Sequence, residues 1–102
     1  MCGISGFIAI TPASAYDKAA TLRRMNRTLA HRGPDAEEYA EIGAAYLGHR
    51  RLAVIDIEAS RQPMTTADGR YTLLYNGELY NYKNLRTELQ ALGRRFRTAG
   101  DT

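Results

Sequence analysis

The alternation of apolar and polar positions along the chain predicts two amphipathic helices. From Ala15 to Leu29, apolar residues recur at spacings of three and four, and arginines occupy the opposite face. The Gly33-Pro34 pair is expected to end this helix, with glycine as a left-handed cap. Tyr82 to Leu92 repeats the helical spacing, with Asn81 placed to act as N-cap and Gly93 as the C-terminal stop.

The remaining apolar stretches are short, and they predict strands and extended segments. These are Ile4 to Ile10, Gly43 to Arg50, Leu52 to Ile57, Tyr71 to Tyr75 and the beginning of a segment at Arg95 to Thr98. Thr11 to Ser14 breaks the first strand, and Asp68-Gly69 marks a turn before the Tyr71 to Tyr75 strand. This order predicts an α+β fold. It also provides too few strands for two layers, so we expect residues 1–102 to be the first part of a larger domain.

Composition and charge exclude several classes of protein. The 102 residues are 44% hydrophobic and 25% charged, which is typical of a globular domain and not of a disordered one. No apolar run is long enough to span a bilayer, and a single cysteine excludes an internal disulfide. The net charge of +3 comes mainly from scattered arginines, so neither a nucleic-acid nor a membrane partner is expected.

The single cysteine, Cys2, is the strongest chemical candidate. A lone cysteine is most often a small buried apolar residue. At position 2, however, removal of Met1 would place a thiol and a free α-amine on the same residue. The ordinary pKa values of these groups are about 8.5 and about 7.7–8.0, so near neutral pH the amine can accept the thiol proton without a histidine.

Two further features suit the same chemistry without requiring it. Asn76-Gly77 follows a predicted strand and could donate hydrogen bonds to an oxyanion, although an Asn-Gly pair is locally more typical of a simple turn. Arg51 could bind a carboxylate through two hydrogen bonds, although most arginines are merely solvated.

Six blocks of residues, taken in order, resemble the class II glutamine amidotransferases, the N-terminal-nucleophile hydrolases that begin at a catalytic cysteine. HRGPD, GHRRLAVID and NGELYN together look like the asparagine synthetase type of this family. The blocks are Met1 to Gly6, His31 to Asp35, Leu47 to Asp56, Gln62 to Met64, Tyr75 to Tyr82 and Phe96 to Thr102.

The resemblance implies a role for each matching residue. Cys2 would attack the side-chain amide of glutamine, and Asn76 and Gly77 would form the oxyanion hole. Glutamine would be bound by the side chains of Arg51, Glu78 and Asp101, by Asn76 and Gly77, and by the backbone of Leu52, Ala53, Val54 and Ile55. No metal ligand is implied. His31 and Arg32 are expected to position a loop, and His49 is expected to be structural.

The resemblance also implies the larger context. The expected fold is the four-layer α/β/β/α sandwich, of which residues 1–102 would be the N-terminal part. The parent protein would be a cytoplasmic ligase of asparagine biosynthesis, whose absent C-terminal synthetase domain uses ATP and Mg²⁺. No cofactor is expected within this chain, and a homodimer is left open.

Two alternatives stand beside this interpretation. A transferase of the same architecture could amidate a peptide or a cell-surface sugar precursor, or a homologue could keep the fold without catalysis. If Met1 is retained, the α-amine is blocked and the chain should be inactive. Because sheet edges and apolar faces would be uncovered, we also expect residues 1–102 alone to be marginally folded.

Overall fold

The computed structural model describes residues 1–10, 16–52, 59 and 61–102. The predicted Leu52 to Ile57 strand and the break at Thr11 to Ser14 therefore lie wholly or largely outside the described residues. The elements, in chain order, are β1 (Gly3–Ile8), α1 (Lys18–Thr28), β2 (Ala36–Ile42), β3 (Ala45–Arg51), β4 (Met64–Thr65), β5 (Thr72–Leu73) and α2 (Tyr82–Ala91). This arrangement confirms the α+β class.

β3 is the central strand of a three-stranded antiparallel sheet in the order β1-β3-β2. The pairing with β1 runs from Gly3 opposite Arg50 to Ile8 opposite Ala45. The pairing with β2 extends from Ala36 opposite Arg51 to the Ile42–Ala45 pair. Each strand of this sheet therefore has a defined register with β3.

Helix α1 packs on one face of this sheet. Asp17 caps its N-terminus by accepting a hydrogen bond from the Ala20 N–H at 3.0 Å, so the helix begins later than the predicted Ala15. Ala15 itself lies outside the described residues. On the inner face, Leu22 and Asn26 are almost completely buried. The Asn26 side chain accepts a hydrogen bond from the Ser5 hydroxyl of β1 and donates one to the His49 carbonyl of β3, which ties the helix to two strands.

Strand β2 was not predicted, and the predicted start of its neighbour at Gly43 is wrong. Gly43 has a φ of 57° and lies in the turn between β2 and β3, where a left-handed residue is required. Glutamates are unfavourable in strands in general, and β2 has three of them. Glu37 and Glu41 are tolerated because β2 is an edge strand whose charged side chains reach solvent. Glu38 is compensated by the hydrogen bond that it accepts from the Gln62 N–H.

Gly33 does not act as the predicted left-handed helix cap. α1 ends at Thr28, with Leu29 as its C-cap, and Gly33 does not have a positive φ. A Cβ atom at Gly33 would lie 2.3 Å from the carbonyl carbon of Arg50 and 2.5 Å from the Arg51 nitrogen. The glycine is therefore required because two backbone segments approach closely.

The second half of the chain contains a small hairpin and α2. β4 and β5 pair around the predicted Asp68-Gly69 turn, where Gly69 has a φ of 72°. The turn prediction is thus confirmed, although the strand predicted at Tyr71 to Tyr75 shortens to two residues. No strand forms at residues 95–98.

Helix α2 confirms the predicted start and stop. It begins after Asn81, whose side chain makes no capping hydrogen bond. At its end Gly93 has a φ of 82°, and its N–H donates to the Gln90 carbonyl. The Arg94 N–H reaches back to Leu89, which completes a Schellman motif.

His49 is the most deeply buried ionisable side chain of the described sheet, with 1% exposure. It lies between Ile4 and Glu38 on the neighbouring strands. Burial is the main cause that lowers the pKa of His49 below its usual value. The Glu38 carboxylate opposes this shift, Arg51 reinforces it, and the backbone of Tyr75 also opposes it.

Replacing Gly33 should destabilise the fold through this close approach. We expect Gly33→Ala to lower the free energy of unfolding by about 1–3 kcal/mol, because the backbone of β3 must shift to admit the methyl group. Urea denaturation of the full-length protein measures this loss. Gly43→Asn is the matched control, since its turn is open and asparagine tolerates a left-handed φ. Equal losses for the two variants would contradict the steric explanation.

The buried His49 should make stability depend on pH. The His49 side chain binds a proton near pH 6.5 in the unfolded chain, whereas in the folded chain it does so only at lower pH. The contribution of neutral His49 to the free energy of unfolding is therefore fully present above pH 6.5. It is lost as the pH falls through the lowered pKa, by at most about 1.4 kcal/mol per pH unit. We expect His49→Gln to reduce this acid-dependent loss in urea denaturation between pH 7.5 and 5.5. His31→Gln, at an exposed position, should leave it unchanged.

Candidate active site

The pleat of the sheet places the candidate side chains on the face opposite α1. Ser5 faces α1, since its side chain contacts Asn26. Side chains alternate along a strand, so Ile4 and its partner His49 lie on the other face. Arg51, two residues after His49 on the same strand, shares that face. Cys2 directly precedes β1 and continues the same alternation.

A cleft of about 750 Å³ opens on this side of the molecule. This volume is typical of small-molecule sites. Its second wall is formed by residues 75–80 together with residues 100–102. Every described residue predicted for the site lines this one cleft, namely Cys2, Arg51, Leu52, Asn76, Gly77, Glu78 and Asp101. Ala53, Val54 and Ile55 lie outside the described residues.

The Cys2 sulfur lies against the backbone of Leu52. The Leu52 N–H donates to Sγ at 3.3 Å, and the thiol lies 3.6 Å from the Leu52 carbonyl oxygen. Arg32 donates from Nε to the Cys2 carbonyl oxygen at 3.3 Å. Cys2 is thus anchored through its side chain by Leu52 and through its backbone by Arg32.

Two neighbouring arginines of β3 have different environments. Arg50 donates to the Gly33 carbonyl oxygen at 3.0 Å and forms a 2.6 Å ion pair with Glu37, so its contacts stabilise the sheet. Arg51 lines the cleft and is only 6% exposed. A buried guanidinium at the floor of a cleft is well suited to a planar carboxylate, which it can bind through two hydrogen bonds.

Asn76 and Gly77 follow Tyr75 on the opposite wall. Asn76 is half-buried and Gly77 is exposed. A Cβ atom at Gly77 would lie 3.0 Å from the Tyr75 hydroxyl oxygen, so a side chain there would crowd the Tyr75 ring. The wall therefore includes the Asn76 side-chain amide and the Gly77 backbone N–H, both of which are neutral hydrogen-bond donors.

Two acidic side chains, Glu78 and Asp101, line the same wall. Asp101 Oδ2 accepts the Leu79 N–H at 2.9 Å, and Arg86 donates to the carbonyl oxygens of Thr98 and Gly100. These contacts join the segment ending at Thr102 to the segment after Gly77. The cleft thus combines a cationic floor with two carboxylates, which is complementary to a zwitterionic amino acid.

Several cleft residues had no predicted binding role, and three of them have side chains that bear on the site. His49, expected to be structural, lines the cleft, and neither ring nitrogen makes a well-formed hydrogen bond within the described residues. Gln62 and Thr102 also line it and contact each other. Gln62 belongs to one of the recognised blocks, but nothing in its local sequence indicates where its side chain points.

The described residues contain neither a metal-ligand cluster nor a membrane-spanning helix. Across residues 1–10, 16–52, 59 and 61–102, no three histidine, cysteine, aspartate or glutamate side chains cluster as metal ligands. In this described part of the chain, neither helix has the length and apolar character needed to cross a membrane.

Comparison with known proteins places the chain in a family. The profile described as "Glutamine amidotransferase domain" matches residues 1–102. Over its whole length the chain is 45% identical to asparagine synthetase [glutamine-hydrolyzing] 3 and 41% identical to asparagine synthetase [glutamine-hydrolyzing] 1 of Bacillus subtilis (strain 168). Over 99% of its length it is 38% identical to asparagine synthetase [glutamine-hydrolyzing] 1 of Arabidopsis thaliana.

The chain spans only 16–17% of the length of these relatives. The family match nevertheless extends over residues 1–102, the range that contains the cleft. The chain belongs to the glutamine amidotransferase family.

Proposed function

We propose that this chain is the glutamine-hydrolysing part of an asparagine synthetase and that Cys2 is its nucleophile. The observation that carries the proposal is the convergence of Cys2, Arg51, Asn76, Gly77, Glu78 and Asp101 on one cleft. Cys2 and Asp101, which are 99 positions apart in the sequence, line the same cleft. These residue types supply a nucleophile, an oxyanion hole and complementary charges for glutamine.

Removal of Met1 is a single maturation step that precedes the proposed catalytic cycle. Met1 is 72% exposed at the rim of the cleft, which makes it accessible to an aminopeptidase. Its loss frees the α-amine of Cys2, which then accepts the thiol proton directly or through water. The thiolate attacks the side-chain amide carbon of glutamine, and the amide oxygen becomes an oxyanion.

Asn76 and Gly77 stabilise that oxyanion through the side-chain amide and the backbone N–H. Such donors act most strongly when they are held in place before the reaction. The Cys2 α-ammonium then returns its proton to the amide nitrogen, the tetrahedral intermediate collapses, the carbon–nitrogen bond breaks, and ammonia leaves. Water hydrolyses the remaining γ-glutamyl thioester through a second oxyanion, which releases glutamate and regenerates the thiol.

The charged residues bind the two ends of the glutamine backbone. Arg51 pairs with the α-carboxylate, while Glu78 and Asp101 accept hydrogen bonds from the α-ammonium. The backbone of Leu52 to Ile55 completes the pocket. Because Arg51 lies on one side of the cleft and the two carboxylates lie on the other, bound glutamine bridges the two sides.

The proposal extends to the whole protein. A C-terminal synthetase domain, with ATP and Mg²⁺, would use the ammonia to amidate aspartate in the cytoplasm. Residues 1–102 would begin a glutaminase domain with the four-layer α/β/β/α sandwich. The names of the matched relatives support this acceptor over a peptide or a sugar precursor. A homodimer stays a prediction.

Cys2→Ala should abolish hydrolysis of glutamine. We expect the rate to fall by at least about 10³-fold, because the α-amine alone cannot form the thioester. Glutamate release is the measurement, and intact mass establishes that Met1 has been removed. Asparagine formation from added ammonia, ATP and aspartate is the internal control and should persist. Glutaminase activity that survives the substitution would refute the nucleophile assignment.

Asn76→Ala tests the oxyanion hole separately. We expect kcat for glutamine hydrolysis to fall by about 10²–10³-fold with little change in KM, since the amide acts mainly on the transition state. Asn84→Ala, at an exposed position of α2, is the matched control and should retain wild-type kinetics. A kcat for Asn76→Ala within threefold of wild type would exclude Asn76 from the oxyanion hole.

A further inference from the structure

Gln62 is a buried side chain that connects both segments of the second cleft wall. It is 6% exposed, and both ends of its amide group are used. Oε1 accepts the Tyr75 N–H at 2.5 Å, and Nε2 donates to the Thr102 hydroxyl oxygen at 3.3 Å. An amide is suited to this position because one group both accepts and donates.

The sheet holds Gln62 in place through Glu38. The Gln62 N–H donates to Glu38 Oε2 at 3.0 Å. Glu38 is the β2 partner of His49, and both residues belong to the face of the sheet that carries the cleft. A chain of contacts therefore runs from the sheet through Glu38 to Gln62, and from Gln62 to the facing wall.

The first contact of the amide acts on the peptide unit just before the oxyanion donors. The Tyr75 N–H is directed at Gln62, and the next two residues are Asn76 and Gly77. The Tyr75 ring in turn packs beside Gly77. A rotation of the backbone at Tyr75 would therefore reorient the Asn76 side chain and the Gly77 N–H together.

The second contact of the amide, with Thr102, lies next to Asp101, one of the proposed substrate-binding residues. Thr102 adjoins Asp101, whose carboxylate accepts the Leu79 N–H at 2.9 Å. Loss of the Gln62–Thr102 hydrogen bond would loosen this end of the segment without altering the Tyr75 contact. The two ends of one side chain thus influence two different parts of the site.

We propose that Gln62 is a positioning residue of the glutaminase site, which orients the oxyanion donors through Tyr75 and the Asp101 carboxylate through Thr102. This inference rests on the proposed function. Gln62 touches neither the nucleophile nor the substrate in this scheme. It acts by fixing the direction of groups that do.

Gln62→Met tests the contact with Tyr75. The variant preserves the length of the side chain but leaves the part-buried Tyr75 N–H without its acceptor. We expect kcat for glutamine hydrolysis by the full-length protein to fall by about 10- to 100-fold, since small misplacements at a reacting centre have effects of this size. Gln90→Met, at an exposed position of α2, is the matched control and should keep wild-type kcat.

Thr102 tests the other end of the amide. Thr102→Val removes the hydroxyl that accepts from Nε2, and we expect a several-fold rise in the KM for glutamine with kcat within about twofold of wild type. Thr102→Ser retains the hydroxyl and should keep the wild-type KM. This pair remains informative if Gln62→Met does not fold.

Alkylation of Cys2 by iodoacetamide separates positioning from general scaffolding. The reaction needs the sulfur but no oxyanion donor, so its rate in Gln62→Met should stay within about twofold of wild type. A kcat reduced less than fivefold would overturn the inference, as would alkylation slowed in proportion to kcat. If Gln62→Met folds poorly, an unchanged KM in Thr102→Val would overturn it instead. Glutaminase activity in Cys2→Ala would instead reject the proposed function itself.

Discussion

The antiparallel register of β3 with its two neighbours is the constraint on which the rest of the structure depends. Because Gly3 pairs with Arg50, the residue before β1 continues toward the end of β3 at Arg51. The same register sets Glu38 beside His49 on the other edge. A shift of one residue would turn Arg51 and His49 toward α1, where Leu22 and Asn26 fill the space. The cleft exists because this register holds.

α1 and the turn after it enforce that register from the opposite side. Asn26 bonds to both β1 and β3, so the two strands cannot slide independently of the helix. Gly33 meets the backbone of Arg50 and Arg51 so closely that any side chain there would force the strand to shift. Arg32 then reaches the Cys2 carbonyl from the same turn. Structural contacts on the helix side therefore determine the positions of Cys2, the proposed nucleophile, and of Arg51, which is proposed to bind the substrate carboxylate.

The opposite wall of the cleft depends on hydrogen bonds rather than on apolar packing. α2 buries none of its residues completely, and the segments around it are held by Arg86, Asp101 and Gln62. Directional bonds of this kind fix the orientation of backbone groups more narrowly than apolar contacts do. A wall built in this way suits the presentation of a backbone N–H to a reacting centre.

Local sequence was sufficient for features that depend on neighbouring residues. The period of apolar residues predicted α2, Gly93 predicted its end, and Asp68-Gly69 predicted the hairpin turn. Prediction failed where a distant partner decides the outcome. β2 forms despite its glutamates because β3 supplies its hydrogen bonds, and Gly33 is glycine because of a strand 17 residues later, at Arg50.

The sequence by itself determined the α+β class, the candidate chemistry of Cys2 and the family to which the blocks belong. It could name Arg51, Asn76, Gly77, Glu78 and Asp101 as site residues only through that family resemblance. Only the tertiary structure brought them to one cleft and revealed Gln62 between its two wall segments. The reason is that helical and turn signals are local, whereas a cleft is made by side chains whose facing directions are set by strand register and by hydrogen bonds between distant segments.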